Sequence, residues 1–162
     1  GSWYYEMTVP GLKYNMTDMQ SALGLHQLAR LEKMTEQRSA LAAQYADGLG
    51  DLAEIELPAH RRGIRHAWHL YPIRLRPEML TIRRRQFIEE LRAEGIGTSV
   101  HFIPLHRHPY YRDRFSLKPR DLPVADHAYE RLVSLPLYTQ MTQEDADDVI
   151  EAVRRIVQLN RA

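Results

Sequence analysis

The sequence contains no cysteine among its 162 residues, so it has no disulfide framework and no thiolate to act as a nucleophile or metal ligand. It also has no run of about 20 apolar residues, the length that a helix needs to cross a bilayer. The formal net charge is only +1, which gives no strong attraction to nucleic acid or to a membrane surface. These absences indicate a globular, cytoplasmic protein whose partners are neither nucleic acid nor membrane.

The common motifs of catalytic and nucleotide-binding sites are absent as well. The sequence has no G-x-G-x-x-G, no P-loop, no G-x-S-x-G and no H-E-x-x-H. Lysine is scarce and occurs only as Lys13, Lys33 and Lys118. The residues taken by themselves therefore complete no active site.

Two helices are predicted near the start of the chain. The first begins in "GLKYNMTDMQSALG", where Thr17 and Gln20 have the spacing of a capping box. Its apolar residues cover more than one face, which predicts a helix that is buried on several sides. The second helix is expected from Thr35 to Leu49, with glycines at its end.

Beyond residue 54 the pattern predicts strand, strand, helix, strand, helix, strand, helix. The strands are expected at 55–57, 67–75, 97–103 and 134–137, with Pro72 marking an edge or a bulge. The helices are expected at 81–94, at about 124–133 and after Thr142, which with Asp145 forms a capping box before a single apolar stripe. This order indicates an α/β fold, an α+β sandwich with a small sheet and helices on one face. We predict three parts: a tip at 1–16, connecting helices at 17–53 and a small α/β domain at 54–162.

Eight histidines are candidates for site chemistry. His101, His106 and His108 have an H-x4-H-x-H spacing, and three imidazoles can bind zinc. A strand and a loop give these side chains no common direction, so we predict no metal site. His101 lies in an apolar stretch, which leaves two interpretations open: a core histidine with an internal partner, or a cleft-facing group that binds a polar ligand. A second group consists of His60, His66 and His69.

Two further stretches have the composition of anion sites. Lys13, Tyr14 and Asn15 precede a capped helix start, where backbone N–H groups favour a phosphate. The alternative is an asparagine that simply ends a turn, and the spacing does not decide between them. In "HPYYRDRF", residues 108–115, aromatics and arginines could hold a base or a diphosphate. We favour a helical turn whose aromatics cover the core while the arginines are solvated.

Four segments of the chain follow one another in the order of a known family. They are "GLKYNMTDMQSALGLHQLARLEKM", "RRGIRHAWHLYPIRL", "FIEELRAEGIGTSVHFIPLHRHPYYRDRF" and "AYERLVSLPLYTQMTQEDADDVIEAVRRI". They resemble the K-Y-N-x-T-D, W-H-x-[YF], G-I-x-[TS]-x-x-H-[YF]-x-P-L-H and S-L-P motifs of the DegT/DnrJ/EryC1/StrS aminotransferases. Those enzymes use pyridoxal phosphate (PLP) and act on nucleotide-linked keto-sugars in lipopolysaccharide and cell-surface polysaccharide biosynthesis.

The resemblance implies the C-terminal part of a fold type I transferase, with long connecting helices before a small, mostly antiparallel α/β domain. The cofactor's lysine and the aspartate that pairs with its ring nitrogen would lie upstream, so this chain alone should not catalyse transamination. Asn15 matches the residue that contacts the PLP phosphate of the partner subunit in a homodimer, where many members have arginine. His101 matches a histidine on the substrate side. A stand-alone nucleotide-sugar-binding or assembly module, and a member that performs dehydration, stay open as alternatives.

Overall fold

The computed structural model describes residues 4–162, which form two compact units that divide between Lys33 and Met34. The helices are α1 (Asp18–Leu49), α2 (Arg84–Ala93), α3 (Pro109–Phe115), α4 (Pro123–Arg131) and α5 (Gln143–Leu159), and the strands are β1 (Ile55–Glu56), β2 (Tyr71–Leu75) and β3 (Leu132–Leu135). Short 3-10 turns lie at Pro77–Met79, Leu105–Arg107 and Pro119–Asp121. No helix within residues 4–162 is both long enough and apolar enough to span a membrane.

The first unit consists of an irregular segment and the beginning of α1. The predicted capping box is present: Gln20 N donates to Thr17 Oγ1 (3.3 Å), and Thr17 N donates to Gln20 Oε1 (2.9 Å). The prediction that this part of the helix is buried on several sides is wrong for the described chain, in which Met19, Leu23 and Leu25 are 67–80% exposed. Apolar periodicity shows that a face needs a partner, and within this unit nothing covers it.

Helix α1 is one continuous helix of 32 residues, not the two predicted helices. The stretch at which we expected an interruption, "LEKMTE", contains neither glycine nor proline. Most of its residues favour helix, so no local signal ends the first helix before the second begins. The predicted end at Leu49 is confirmed.

The second unit is built on a three-stranded antiparallel sheet in the order β1-β2-β3. Tyr71, Ile73 and Leu75 of β2 are buried and alternate with half-buried residues, as a strand with one face on the core requires. Pro72 is tolerated because β1 pairs only with Arg74 and Leu75, so β2 is an edge at the proline, as the sequence predicted.

The predicted strand at 97–103 is wrong, and with it the expectation of four strands. Only Ser99 bridges to Ser134 of β3, through Ser134 N to Ser99 O (2.8 Å) and Ser99 N to Ser134 O (3.2 Å). Phe102 is 74% exposed and Ile103 is 46% exposed, so extending the pairing would bury little apolar surface. The hydrophobic content of this segment therefore predicted a strand that tertiary packing does not favour.

Helices α1, α2 and α5 contribute the buried helical residues of the core, and α2 contacts α5. Phe87 and Leu91 of α2 are fully buried. Helix α5 confirms the predicted capping box, since Asp145 N donates to Thr142 Oγ1 (3.1 Å) and Thr142 N donates to Asp145 Oδ2 (2.7 Å). The predicted stripe of α5 is buried: Ala146, Val149, Val153, Ile156 and Val157. The fold class, α/β with a small antiparallel sheet, is confirmed.

The end of α1 lies close against α5. A Cβ atom at Gly48 would lie 2.7 Å from Ile150 Cδ1, so the missing side chain permits the approach. Arg154 Nη1 donates to the Gly48 carbonyl (2.7 Å), and Arg154 also forms an ion pair with Asp51 (2.5 Å). These contacts hold the last turns of α1 against α5 within the second unit.

Candidate functional site

The structure places His101 at a small cavity beside β3. Its ring is half-buried, and its Nδ1 lies 3.0 Å from Ser134 Oγ. The Phe102 ring meets the imidazole edge-on, with centroids 4.7 Å apart. His101 therefore has an internal partner, as the first interpretation expects, and also lines a cavity.

The cavity has a volume of about 250 Å³. Its polar lining consists of His69, Thr98, Ser99, His101 and Ser134. These are imidazoles and hydroxyls, and the cavity lining contains no carboxylate, lysine or arginine. Such a lining suits neutral hydrogen-bonding groups such as hydroxyls better than a phosphate, which favours cationic partners.

Thr98 is another hydroxyl residue of the cavity lining. Its Oγ1 is inaccessible to solvent and has no hydrogen-bond partner among the described residues. An unpaired buried hydroxyl costs about 1–3 kcal/mol. Neither Thr98 nor Ser134 was predicted as a site residue. The available signal was a hydroxyl residue inside an apolar stretch, but the sequence does not show which histidine it would meet.

His106 and His108 have surroundings that differ from those of His101. His106 is buried, and its Nε2 lies 3.1 Å from Asp126 Oδ1. Asp126 also accepts from Arg107 (2.6 and 2.8 Å), and these hydrogen bonds lower the pKa of Asp126 to about 2. His108 is exposed at the start of α3. Within residues 4–162, no group of three or more histidines and carboxylates is arranged to hold a metal ion.

The second histidine group also divides. The His60 ring stacks on Trp68 with centroids 6.3 Å apart, and the His66 ring lies 4.2 Å from the same indole. His66 Nδ1 accepts from Trp68 N (2.9 Å), whereas His69 lines the cavity of His101. Trp68 has a backbone φ of 45°, which is unfavourable for a bulky residue. His60 and His66 therefore enclose a buried indole.

The tip residues Lys13, Tyr14 and Asn15 are exposed and lie just before α1 begins. The first N–H groups of α1 give this end a partial positive charge, which favours an anion. The Asn15 amide can donate one neutral hydrogen bond to such an anion. This geometry is compatible with a phosphate contact.

The predicted helical turn is present as the short helix α3, Pro109–Phe115, which follows His108. Its aromatic residues do not cover the core, since Tyr110 is 68% exposed and Phe115 is 60% exposed. Arg112 pairs with Asp113 (2.7 Å), and the Arg114 guanidinium lies 6.0 Å from the Phe115 ring centroid. The helix therefore resembles the predicted helical turn in form but exposes its aromatic side chains.

The small antiparallel sheet, its packed helices and the long leading helix define a class: the small domain of the fold type I PLP-dependent transferases. The match to a family model is more specific, and the chain belongs to the DegT/DnrJ/EryC1/StrS aminotransferase family, whose model matches residues 2–154.

Individual relatives agree with this assignment. The chain is 48% identical over 158 residues to the spore coat polysaccharide biosynthesis protein SpsC of Bacillus subtilis, covering 97% of this chain and 41% of SpsC. Among solved structures, Spr1654 of Streptococcus pneumoniae, described as a sugar aminotransferase and solved in PMP form, has a TM-score of 0.85 at 30% identity, covering 98% and 39% of the two chains.

A third relative is DesV of S. venezuelae, solved in complex with a ketimine intermediate. It has a TM-score of 0.84 at 32% identity, covering 95% of this chain and 40% of DesV. The chain therefore spans about two fifths of the length of the relatives it matches.

Proposed function

We propose that the chain is the C-terminal part of a PLP-dependent aminotransferase that acts on a nucleotide-linked keto-sugar in lipopolysaccharide or cell-surface polysaccharide biosynthesis. The observation that carries this proposal is the family match over residues 2–154, together with 48% identity to a polysaccharide biosynthesis protein. We infer a cytoplasmic protein, in keeping with a sequence that contains no cysteine for disulfides.

The chain's own residues fit one part of the cofactor site. Asn15, exposed before the N-terminus of α1, would donate its amide N–H to the phosphate of PLP held by the partner subunit. The three lysines are all exposed, which does not suit a covalent attachment point enclosed in a site. When bound, PLP supplies an electron sink for the substrate carbon. The chain by itself is therefore not competent for amino transfer.

His101 would act on the substrate side. Its Nδ1 is engaged by Ser134, so its Nε2 is the ring nitrogen that can bind a ligand. The neutral lining of the adjacent cavity suits a sugar hydroxyl. We assign His101 to orienting the sugar, without a proton-transfer role.

Two alternatives keep the same fold. The chain could be a stand-alone module that binds a nucleotide sugar or assembles with a separate domain, which the cavity at His101 supports. It could also belong to a member that performs dehydration, because the residue that distinguishes the two reactions lies outside this chain.

If the chain by itself is not competent for amino transfer, mixing it with PLP should give no lysine-dependent absorbance band that borohydride can trap. Intact-mass analysis after reduction checks this directly. A stoichiometric reduced adduct that is lost in one of the variants Lys13→Arg, Lys33→Arg or Lys118→Arg would contradict it.

Calorimetric titration with UDP-, GDP- and dTDP-sugars separates a part from a stand-alone module. Saturable binding that His101→Ala weakens, and that His108→Ala leaves unchanged, would favour the module. No binding would favour a part that needs its missing remainder. His108 is a suitable control because it is exposed and lies outside the cavity lining.

A further inference from the structure

The Ser134 hydroxyl occupies a fixed position in the structure. Ser134 is 4% exposed in β3, and its backbone is held on both sides, by the bridge to Ser99 and by its register with Pro72 of β2. Its neighbours Val133 and Leu135 are buried in the core. The Oγ atom can therefore change position only by rotation about χ1.

His101, in contrast, lies on backbone that does not hold its ring. The segment 100–103 has no regular secondary structure, and the adjoining Phe102 is 74% exposed. The described contacts that orient the imidazole are the 3.0 Å approach of Nδ1 to Ser134 Oγ and the edge-on Phe102 ring. Since Phe102 is itself exposed, the hydroxyl is the rigid one of the two.

We propose that Ser134 is a positioning residue that holds His101 as the neutral Nε2–H tautomer, with the Ser134 O–H donating to Nδ1. A serine hydroxyl can donate or accept, and when it donates to Nδ1 that ring nitrogen carries no proton. The remaining ring proton then lies on Nε2. The nitrogen available to a ligand is thus an N–H donor, suited to an oxygen acceptor.

The consequence for substrate rests on the proposed function. An Nε2–H donor beside an uncharged cavity lining selects a hydroxyl or carbonyl oxygen of the sugar, and a ligand that can only donate is disfavoured. Orientation and tautomer are set by a residue 33 positions away in sequence. The arrangement follows the general rule that the hydrogen bond made by one imidazole nitrogen sets whether the other carries the proton.

The experiment is histidine-selective 15N NMR on the full chain at a pH at which the imidazole is neutral. We expect Nδ1 of His101 to show the shift of an unprotonated nitrogen and Nε2 the shift of a protonated one. Ser134→Ala should move both shifts toward the averaged values of mixed tautomers. Ser134→Thr, which keeps the hydroxyl, should restore the wild-type pattern if it folds.

Two matched controls separate positioning from a general change in the cavity. Ser99→Ala removes an exposed hydroxyl from the residue bridged to Ser134, and Thr98→Ala removes the other buried hydroxyl of the cavity. Both should leave the His101 tautomer unchanged. Val133 and Leu135 methyl shifts report whether each variant keeps its core.

The outcomes are decisive without any activity measurement. Unchanged His101 shifts in a folded Ser134→Ala, or a protonated Nδ1 in the wild type, would overturn the proposal while leaving the assignment of the chain as an aminotransferase part untouched. If Ser134→Ala does not fold, the wild-type tautomer still decides. Failure of sugar binding would affect the proposed function only.

Discussion

At the scale of single residues, Asp126 joins the segment after His101 to α4. Its carboxylate accepts from the buried His106 and, through both oxygens, from Arg107. The Arg107 guanidinium also pairs with Glu130 (2.5 Å) and lies 4.9 Å from the Tyr129 ring centroid. The contacts of His106 and Arg107 with Asp126 therefore connect this segment to α4. Of the three histidines in the H-x4-H-x-H spacing, His106 is the one that joins this network.

This network predicts acid-dependent stability. The pKa of Asp126 is lowered to about 2 by Arg107 and then His106, and the pKa of Asp51 is lowered to about 2 by Arg154. Since both pKa values lie below that of an unfolded aspartate, about 3.9, the ionised carboxylates favour the folded state. Their stabilisation is fully present above about pH 4 and is lost as the pH falls toward about 2.

Urea unfolding at a series of pH values measures this loss as a falling free energy of unfolding. Asp126→Asn should be less stable at neutral pH and should lose less free energy between about pH 4 and 2, keeping the part that Asp51 contributes. Identical acid slopes for the wild type and Asp126→Asn would contradict the assignment.

At the scale of elements, the sheet and α5 follow from local patterns, whereas the approach of α1 to α5 depends on one missing side chain. Gly48 lies inside a helix, where glycine costs about 1 kcal/mol relative to alanine. It is tolerated because the space for a Cβ is filled by Ile150, whose nearest three atoms would lie 2.7–3.2 Å away. Helix propensity and packing therefore oppose each other at this position.

A double-mutant cycle tests this balance. Gly48→Ala gains helix propensity but must displace Ile150, so we expect it to be neutral or destabilising in the wild type. In an Ile150→Ala background the clashing atoms are gone, and Gly48→Ala should stabilise by roughly 0.5–1 kcal/mol. Equal effects in the two backgrounds, measured by urea unfolding, would show that Ile150 does not constrain residue 48.

At the scale of the whole molecule, the first unit exposes many large apolar side chains. Residues with 66–90% of their surface exposed include Tyr5, Met7, Leu12, Tyr14, Met16, Met19, Leu23, Leu25 and Leu28. Contiguous exposed apolar patches mark surfaces that another protein covers. We propose that a second copy of the chain covers it, in keeping with the homodimer that the family resemblance implies.

We therefore expect the chain to self-associate, with a sedimentation coefficient that rises with concentration. Leu25→Gln and Leu28→Gln, one helical turn apart on α1, should each weaken association by roughly tenfold or more, because burying a leucine contributes about 1.5–3 kcal/mol. Leu159→Gln is the matched control, since Leu159 is 77% exposed at the end of α5 in the other unit.

A monomer at all concentrations would contradict the proposed association. Equal weakening by the Leu159 control would mean that association is not specific to the first unit.

Much of the fold was predictable because short stretches of the sequence determine it. The capping boxes at Thr17 and Thr142 set helix starts, and the single stripe of α5 predicted its buried face. The segment 97–103 was predicted wrongly because apolar content does not reveal whether a neighbouring strand has a free edge to pair with. The continuity of α1 was missed because apolar spacing alone does not end a helix.

The candidate site was predictable in part. His101 stood out as a titratable group in an apolar stretch, and the resemblance marked Asn15. Ser134 did not, because its relevance depends on a contact with a residue 33 positions away, and Thr98 did not, because only the folded chain shows that its hydroxyl is buried without a partner.

The sequence by itself determined the family, the small α/β fold and the lack of cysteine and of the common nucleotide-binding motifs, since these depend on residue types and local spacing. Only the tertiary structure decided that His101 has Ser134 as its partner, that His106 belongs to an ion-pair network, and that the apolar face at the start of α1 is exposed. Those properties depend on which residues distant in sequence come into contact, because such contacts determine both hydrogen-bond partners and burial.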